Sequence, residues 1–253
     1  MSEIVVSGWS KLFKNALKKR AEKTVGGGSV VVGNLATVNS ELRPKVRAVV
    51  LRGFMGSVQP GSSSSGNGEG CDDLVFSTHL KTDKVGEIQH NKFCEVGFFF
   101  PETMEQFRIG GIASVLGIDK AASEVYFGNG KNDDSSTSVP SAAFLGIEDL
   151  NESSKIVGTE NDILSITYEK HSNSLKRWFN GPVPGSKVSS SNNTVIETPN
   201  EGTSTSAVCQ NYGLICLQAD RVDYCDLSQK VHVRYIYTLD KKSNTWNIES
   251  VAP

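Results

Sequence analysis

Apolar positions recur with two different periods along this chain, and each change of period marks an element. Near the start, Trp9, Leu12, Phe13, Ala16 and Leu17 fall at i, i+3, i+4, i+7 and i+8 of one helical face. Lys11, Lys14, Lys18 and Lys19 lie largely off that face, which predicts an amphipathic helix with a solvated basic side. Runs rich in β-branched and aromatic residues then predict strands at 29–38 (SVVVGNLATV), 45–54 (KVRAVVLRGF), 73–79 (DLVFSTH), 92–100 (KFCEVGFFF) and 105–117 (EQFRIGGIASVLG). A short helix over 82–91, with Thr82 as N-cap, separates the third from the fourth. Residues 162–185 predict one helix ending before Pro182, with Leu164, Tyr168 and Leu175 on one face. Three closing strands are predicted at 212–227, 230–239 and 245–251, the last two joined by the hairpin loop DKKSN. This is the spacing of antiparallel hairpins, not of repeated βαβ units. It predicts a mainly β fold with helices attached, a β-barrel plus α.

Composition narrows the picture. With 253 residues, 38% of them hydrophobic, the chain can bury one sizeable core, so 1–253 is expected to be a single domain. The Ser-, Gly-, Asn- and Thr-rich stretches at 61–70 and 186–206, and a shorter one at 129–138, have too little apolar surface to offset ordering entropy and predict disordered loop insertions. A net charge of −2 leaves no basic footprint for nucleic acid, and no apolar run reaches membrane length. The start lacks the apolar core of a signal peptide, and five cysteines without a CxxC suggest reduced thiols, so a cytoplasmic protein is expected. The four histidines show no metal-ligand spacing, and no metal is expected. The glycine-rich VGGGSVVVGN lacks the GK[ST] of a phosphate loop, and no GxSxG nucleophile elbow occurs.

Cationic and amide residues on apolar strands are the candidate chemistry. Arg47 and Arg52 flank AVVL, Thr78, Thr82 and Lys84 cluster where a strand passes into a helix, and Gln106 and Arg108 follow FFF. Cations beside a helix N-terminus suit a phosphate dianion, and an amide suits the polar edge of a flat ring. The competing reading is a barrel rim laced by ordinary salt bridges. Arg47 and Arg52 differ by five positions, which puts them on opposite faces of a regular strand; a bulge near Arg52–Gly53 is expected to reconcile them. No residue presents itself as a general acid or base, so catalytic residues stay unassigned.

The order of these motifs resembles the pyridoxine 5′-phosphate oxidase superfamily. RAVVLRGF is similar to its Arg-x-Val-x-x-Lys/Arg-Gly-Phe strand, FSTHLKTDK to its Phe-x-Thr-x-x-x-Ser-x-Lys segment, and EQFRIGG to its Arg/Glu-Gln-x-Arg-x-x-Gly strand. LATV (35–38), GPVPG (181–185), Asn211–Tyr212, VDYCDL (222–227), Trp246 and the closing VAP resemble its little-characterised FMN-binding branch. The resemblance implies an antiparallel split barrel and a homodimer with FMN at the interface. It implies that Arg47, Thr82 and Lys84 hold the phosphate, that the backbone from Arg47 through Val49 to Arg52 lies along the ring, and that Ser77 and Thr78 line the site. Gln106 would meet the ring edge, and Arg234 would reach over from the partner subunit with Tyr224, where true oxidases carry a tryptophan. Arg108 is expected to be structural, paired with Glu95 or Glu105. Three departures stand out: Asp83 occupies a place where many oxidases have arginine, the Tyr-x-x-x-Arg-x-x-x-Ser substrate element is not visible in 112–160, and the final Arg-x-His-x-Arg becomes KVHVR, Lys230 to Arg234. Lys230, His232 and Arg234 alternate with valines, which predicts one strand face bearing Lys230 and His232 beside the flavin, suited to an anionic, phosphorylated small molecule. Three functions stay open: a flavin-dependent oxidoreductase of unknown substrate, an FMN-binding protein without turnover, and a divergent pyridoxamine/pyridoxine phosphate oxidase.

Overall fold

A computed structural model describes residues 8–23, 30–57, 71–117, 141–150, 155–187 and 208–253. The expected insertions at 61–70, 129–138 and 186–206 lie outside the described residues, apart from Ser186 and Lys187. Most predicted elements are present: α1 (Trp9–Lys23), β1 (Val32–Val38), β2 (Pro44–Ser57), β3 (Asp73–His79), α2 (Asp83–His90), β4 (Phe93–Phe100), β5 (Glu105–Leu116), β8 (Tyr212–Asp226), β9 (Val233–Asp240) and β10 (Thr245–Val251). Two short strands were not foreseen, β6 (Ala142–Gly146) and β7 (Ile156–Gly158). The single helix expected over 162–185 is two, α3 (Glu160–Glu169) and α4 (Asn173–Phe179). The first ends at Glu169 with Lys170 as C-cap, and Ser172 caps the second, its Oγ accepting the Leu175 N–H at 3.3 Å. Leu164 and Tyr168 therefore do not share a helix with Leu175.

All strand pairings are antiparallel, and six strands close into a barrel in the order β2-β1-β4-β5-β8-β3, with β3 returning to β2. β2 and β8 outlast the barrel: β2 goes on to pair with β6, and β8 with β9. The barrel is thus split, each long strand serving two neighbourhoods. The register shifts at Arg52, which has no partner between Leu51↔Phe76 and Gly53↔Val75, so the bulge expected there is present. Gly53 is needed at that point, since a Cβ on it would lie 2.3 Å from the Leu145 carbonyl oxygen.

The barrel interior is filled from one end by α1. Phe13 is fully buried, with ring centroids 4.9–6.1 Å from Phe54, Phe98, Phe100 and Phe107. A buried aromatic with that many partners contributes about 3–5 kcal/mol. A second core forms outside the barrel, where α3 and α4 lay Ile163, Leu164, Tyr168 and Phe179 over Met55, Val75, Phe144 and Tyr212. The capping box of α3, Thr159 with Asp162, fixes where that layer begins. No helix among the described residues is long and apolar enough to cross a membrane. All five cysteines are free thiols, four of them buried.

Candidate functional site

The predicted site residues separate into two regions. In the first, α2 roofs the start of β2. Arg47 points inward there, on the same face of β2 as Val49 and Leu51. Its Nη2 donates to Glu87 Oε2 at 2.6 Å, and its Nη1 donates to Thr37 Oγ1 and, at 3.4 Å, to the Leu35 carbonyl. Thr37 also donates to Glu87 at 2.5 Å, and Glu87 is only 8% exposed. Arg47 thus already has a buried carboxylate as partner, and it ties β1, β2 and α2 together. Lys84 differs: its Nζ donates to Thr82 Oγ1 at 2.9 Å and makes no ion pair among the described residues. Burial pushes the Lys84 pKa below its usual value, and the Arg47 charge adds to the effect. Thr82 occupies the N-cap position of α2 but does not cap it; its hydroxyl donates to the His79 carbonyl at 2.8 Å and lies 3.5 Å from that of Thr78. The first turn of α2 therefore has no side-chain cap, although the Val85 N–H donates to the Thr82 carbonyl at 3.0 Å, and it stands beside a lysine and two threonine hydroxyls.

The bulge carries Arg52 outward, where Nε donates to Ser77 Oγ at 3.0 Å. Burial lowers its pKa, and no carboxylate among the described residues pairs with it. Arg52 borders a cavity of about 460 Å³ between β2, the end of α1, and the segment from β6 to α3. Val50, Leu51, Phe144 and Ile147 supply apolar wall; Lys170, held by Glu148 and by Asp149 at 3.1 Å, closes one rim. Neither Ile147 nor Lys170 was a candidate site residue on sequence grounds.

The second region lies on β5, β8 and β9. Arg108, Asp223 and Arg234 form one ion cluster: Arg234 grips Asp223 with Nε at 2.9 Å and Nη2 at 2.7 Å, and Arg108 bonds the same carboxylate. The Arg234 bonds, with those of Arg108, hold the Asp223 pKa below the usual carboxylate value. The partner of Arg108 is therefore Asp223, not Glu95 or Glu105, because Arg108 and Asp223 are directly opposite in the β5–β8 register. Tyr224 is also corrected. It faces the core, its ring 4.8 Å from Phe107 and its hydroxyl donating to Glu105 at 2.9 Å. The adjacent Cys225 has the outward position, in register with Gln106 on one side and Arg234 on the other. Period-two alternation from Asp223 would have found it. Lys230 and His232 are exposed on the connection before β9, which starts only at Val233. Asp226 accepts from the Ser228 N–H at 2.8 Å and from its hydroxyl, turning the chain out of strand geometry, so the alternation of Lys230 and His232 with Arg234 is not structural.

Comparison with known proteins bears on the fold and on part of the chain. Residues 6–117, which contain every predicted site residue of the first region and Gln106, match the pyridoxamine 5′-phosphate oxidase, FMN-binding domain, family. Over those residues the chain is similar to that family. It is 32% identical over 111 residues to pyridoxine/pyridoxamine 5′-phosphate oxidase 2 of Arabidopsis thaliana, a match covering 44% of this chain and 48% of that protein. It thus spans about half the length of that phosphate oxidase relative. An uncharacterized protein of Saccharomyces cerevisiae is similar end to end, 22% identical across 97% of this chain and 98% of its own. A pyridoxamine 5′-phosphate oxidase-related, FMN binding protein of Nostoc punctiforme has the same fold, with a TM-score of 0.64 at 21% identity over 98% of this chain and 99% of that one. The phosphate oxidase-like match ends at Leu116–Gly117, so β8 and β9 with Cys225 and Arg234 lie beyond it.

Proposed function

We propose that this chain binds FMN in a site shared by two copies of itself, and that it is a flavin-dependent oxidoreductase acting on a small molecule in the cytoplasm. The observation that carries the reading is the state of two half-buried cations. Lys84 and Arg52 are held by hydroxyls, not carboxylates, and stand beside an uncapped helix start and an apolar-walled cavity. Lys84, Thr82 and Thr78 would hold the phosphate, with the α2 N–H groups adding to the favourable field. The β2 backbone from Val49 to Arg52 would border the ring, and Arg52, tied to Ser77, would face its polar edge. Asp83 and Glu87 oppose a dianion; Glu87 is neutralised by Arg47. When bound, the flavin supplies a hydride acceptor; the protein supplies orientation and electrostatics.

A topological argument supports two copies. In the six-strand ring β5 stands opposite β2, and Gln106 and Arg52 both point outward. Outward side chains on opposite walls of one barrel cannot touch one ligand, so Gln106 and Arg234 would come from the partner subunit.

Binding without turnover is the second reading, and the exposed placement of Lys230 and His232 favours it over pyridoxine phosphate oxidation. The test is spectroscopic. The purified chain should take up FMN stoichiometrically and turn yellow. Anaerobic bleaching by NAD(P)H with no response to pyridoxine 5′-phosphate supports the oxidoreductase reading. No bleaching by either favours the binding protein, and failure to take up FMN rejects both.

A further inference from the structure

We infer that His79 is a positioning residue for the phosphate end of the site: its imidazole shapes, from behind, the turn that carries Thr82 and the start of α2. The inference rests on the FMN reading above. β3 ends at His79 and α2 begins at Asp83, so Leu80, Lys81 and Thr82 make the whole connection. His79 bonds across it three times. Its Nδ1 accepts the Lys81 N–H at 3.1 Å, and its carbonyl accepts the Thr82 N–H at 3.1 Å and the Thr82 hydroxyl at 2.8 Å. The remaining residue, Leu80, is held from the start of β8. Its N–H donates to the Asn211 carbonyl at 2.7 Å, and its side chain packs on the bare backbone of Gly213, where a Cβ would lie 2.2 Å from Leu80 Cδ2. Asn211 in turn donates from Nδ2 to the Phe179 carbonyl at 3.0 Å, so the end of α4 braces the same turn.

A histidine is an unusual choice for this position. The ring is fully buried, edge-on to Trp178 at 5.4 Å and stacked on Phe179 at 6.4 Å, so it cannot itself meet a ligand. A phenyl ring would pack there with no polar atom to satisfy. Because Nδ1 accepts, the neutral imidazole carries its proton on Nε2, and that N–H has no acceptor among the described residues. A buried donor left unpaired is destabilising. The imidazole offsets this through Nδ1, the acceptor that closes the turn. Burial, with the charges of Lys81 and Lys84, holds the His79 pKa below its usual value, so at neutral pH the ring is uncharged and Nδ1 is free to accept. The effect reaches the ligand through Thr82. Its hydroxyl, oriented by the His79 carbonyl, accepts from Lys84 Nζ at 2.9 Å. A slack turn would displace the two groups assigned to the phosphate and leave the β2 backbone assigned to the ring in place.

Two substitutions separate positioning from packing. His79→Phe keeps a ring against Trp178 and Phe179 and loses the acceptor. His79→Asn loses the ring and keeps an acceptor, since an asparagine side chain bonds the backbone two residues on. Both full-length variants are titrated with FMN and with riboflavin by flavin fluorescence, and thermal unfolding reports their stability. His79→Phe is expected to bind FMN about tenfold more weakly, the scale of one lost hydrogen bond, with riboflavin affinity unchanged. His79→Asn is expected to melt at a lower temperature yet bind FMN within about threefold of wild type. The reverse order, with FMN binding lost in the asparagine variant and kept in the phenylalanine one, would make His79 a packing residue only. Equal losses of FMN and riboflavin would overturn the link to the phosphate. His79→Leu also lacks an acceptor and replaces the phenylalanine variant should that not fold. One arm needs no substitution: long-range proton–nitrogen NMR of the wild type at neutral pH should show His79 as the Nε2–H tautomer. A charged ring, or a proton on Nδ1, would overturn the turn. A wild type that takes up no FMN removes the flavin reading and the phosphate role of His79 with it. A wild type and a His79→Phe variant that bind FMN equally well overturn the inference alone.

Discussion

Arg47 beneath α2 and Arg234 on β9 were both expected to hold the cofactor, and both have a carboxylate partner in the same chain, yet their surroundings differ. Arg47 faces inward with Glu87 and Thr37, in a buried knot joining two strands and a helix. Arg234 faces outward and shares Asp223 with Arg108, so the cluster keeps a net positive charge at the surface of β5, β8 and β9. The first arrangement is self-contained and holds α2 where its N-terminus is useful. The second leaves cationic edges for something beyond the chain. Lys84 and Arg52 differ from both, since each is held by a hydroxyl. The type of partner, more than the presence of a positive charge, distinguishes a cation that supports a site from one that can receive an anion.

The sharpest way to break this comparison is at Arg47. Arg47→Ala should destabilise the fold by about 3 kcal/mol, because Glu87 is left buried without its cation. The Arg47→Ala/Glu87→Ala pair should recover part of the loss in a double-mutant cycle read by urea unfolding. Unchanged stability with lost FMN binding would move Arg47 back into the site. Next in size is Asp223→Asn, expected to cost about 2 kcal/mol at neutral pH. The folded-state pKa of Asp223 is depressed, so its contribution is present above the unfolded value of about 3.9 and disappears as pH falls through the folded value. Unfolding free energy measured from neutral to acid pH should therefore fall less steeply in the variant; parallel curves would contradict the ion cluster.

Lys84→Ala should weaken FMN by about tenfold to a hundredfold, the range of one charge-assisted hydrogen bond, and leave riboflavin nearly untouched. Equal losses for the two ligands would show that Lys84 does not meet the phosphate. The smallest effect belongs to Tyr224→Phe, which removes the bond to Glu105 for about 1 kcal/mol of stability and should not alter FMN affinity. In the same assay FMN should slow alkylation of Cys225, the outward neighbour. Loss of flavin binding in the tyrosine variant, with no protection of the thiol, would reverse the two assignments.

Much of the fold was legible because it rests on period and turn chemistry. The β3 run DLVFSTH and the β10 run TWNIESV match the observed strands to the residue. α1 buries Trp9, Phe13, Ala16 and Leu17, four of the five positions on its predicted apolar face. The failures have physical causes. AAFLG is buried on both faces, so it shows no alternation and reads as nothing in particular between polar stretches. α3 and α4 share one apolar composition, and only the Ser172 cap separates them. β9 starts late because the Asp226 turn, a side-chain effect, overrides a strand pattern that continues upstream. For the site, composition and order placed Lys84, Thr82, Thr78 and Arg52 near one another. They could not reveal that Glu87 holds Arg47, or that Asp223 draws in Arg108 and Arg234, since those partners lie 40, 115 and 11 residues apart.

The claim that the site is shared by two chains is tested most directly by complementation. A Lys84→Glu chain, broken on the α2 side, and a Gln106→Trp chain, blocked on β5, are each expected to bind no FMN. Mixed and allowed to exchange subunits, they form dimers in which one site has two intact halves and the other has none. The account predicts recovery of about one quarter of the wild-type FMN sites, from half the dimers carrying one good site each. A mixture that binds no more FMN than either variant alone would contradict it.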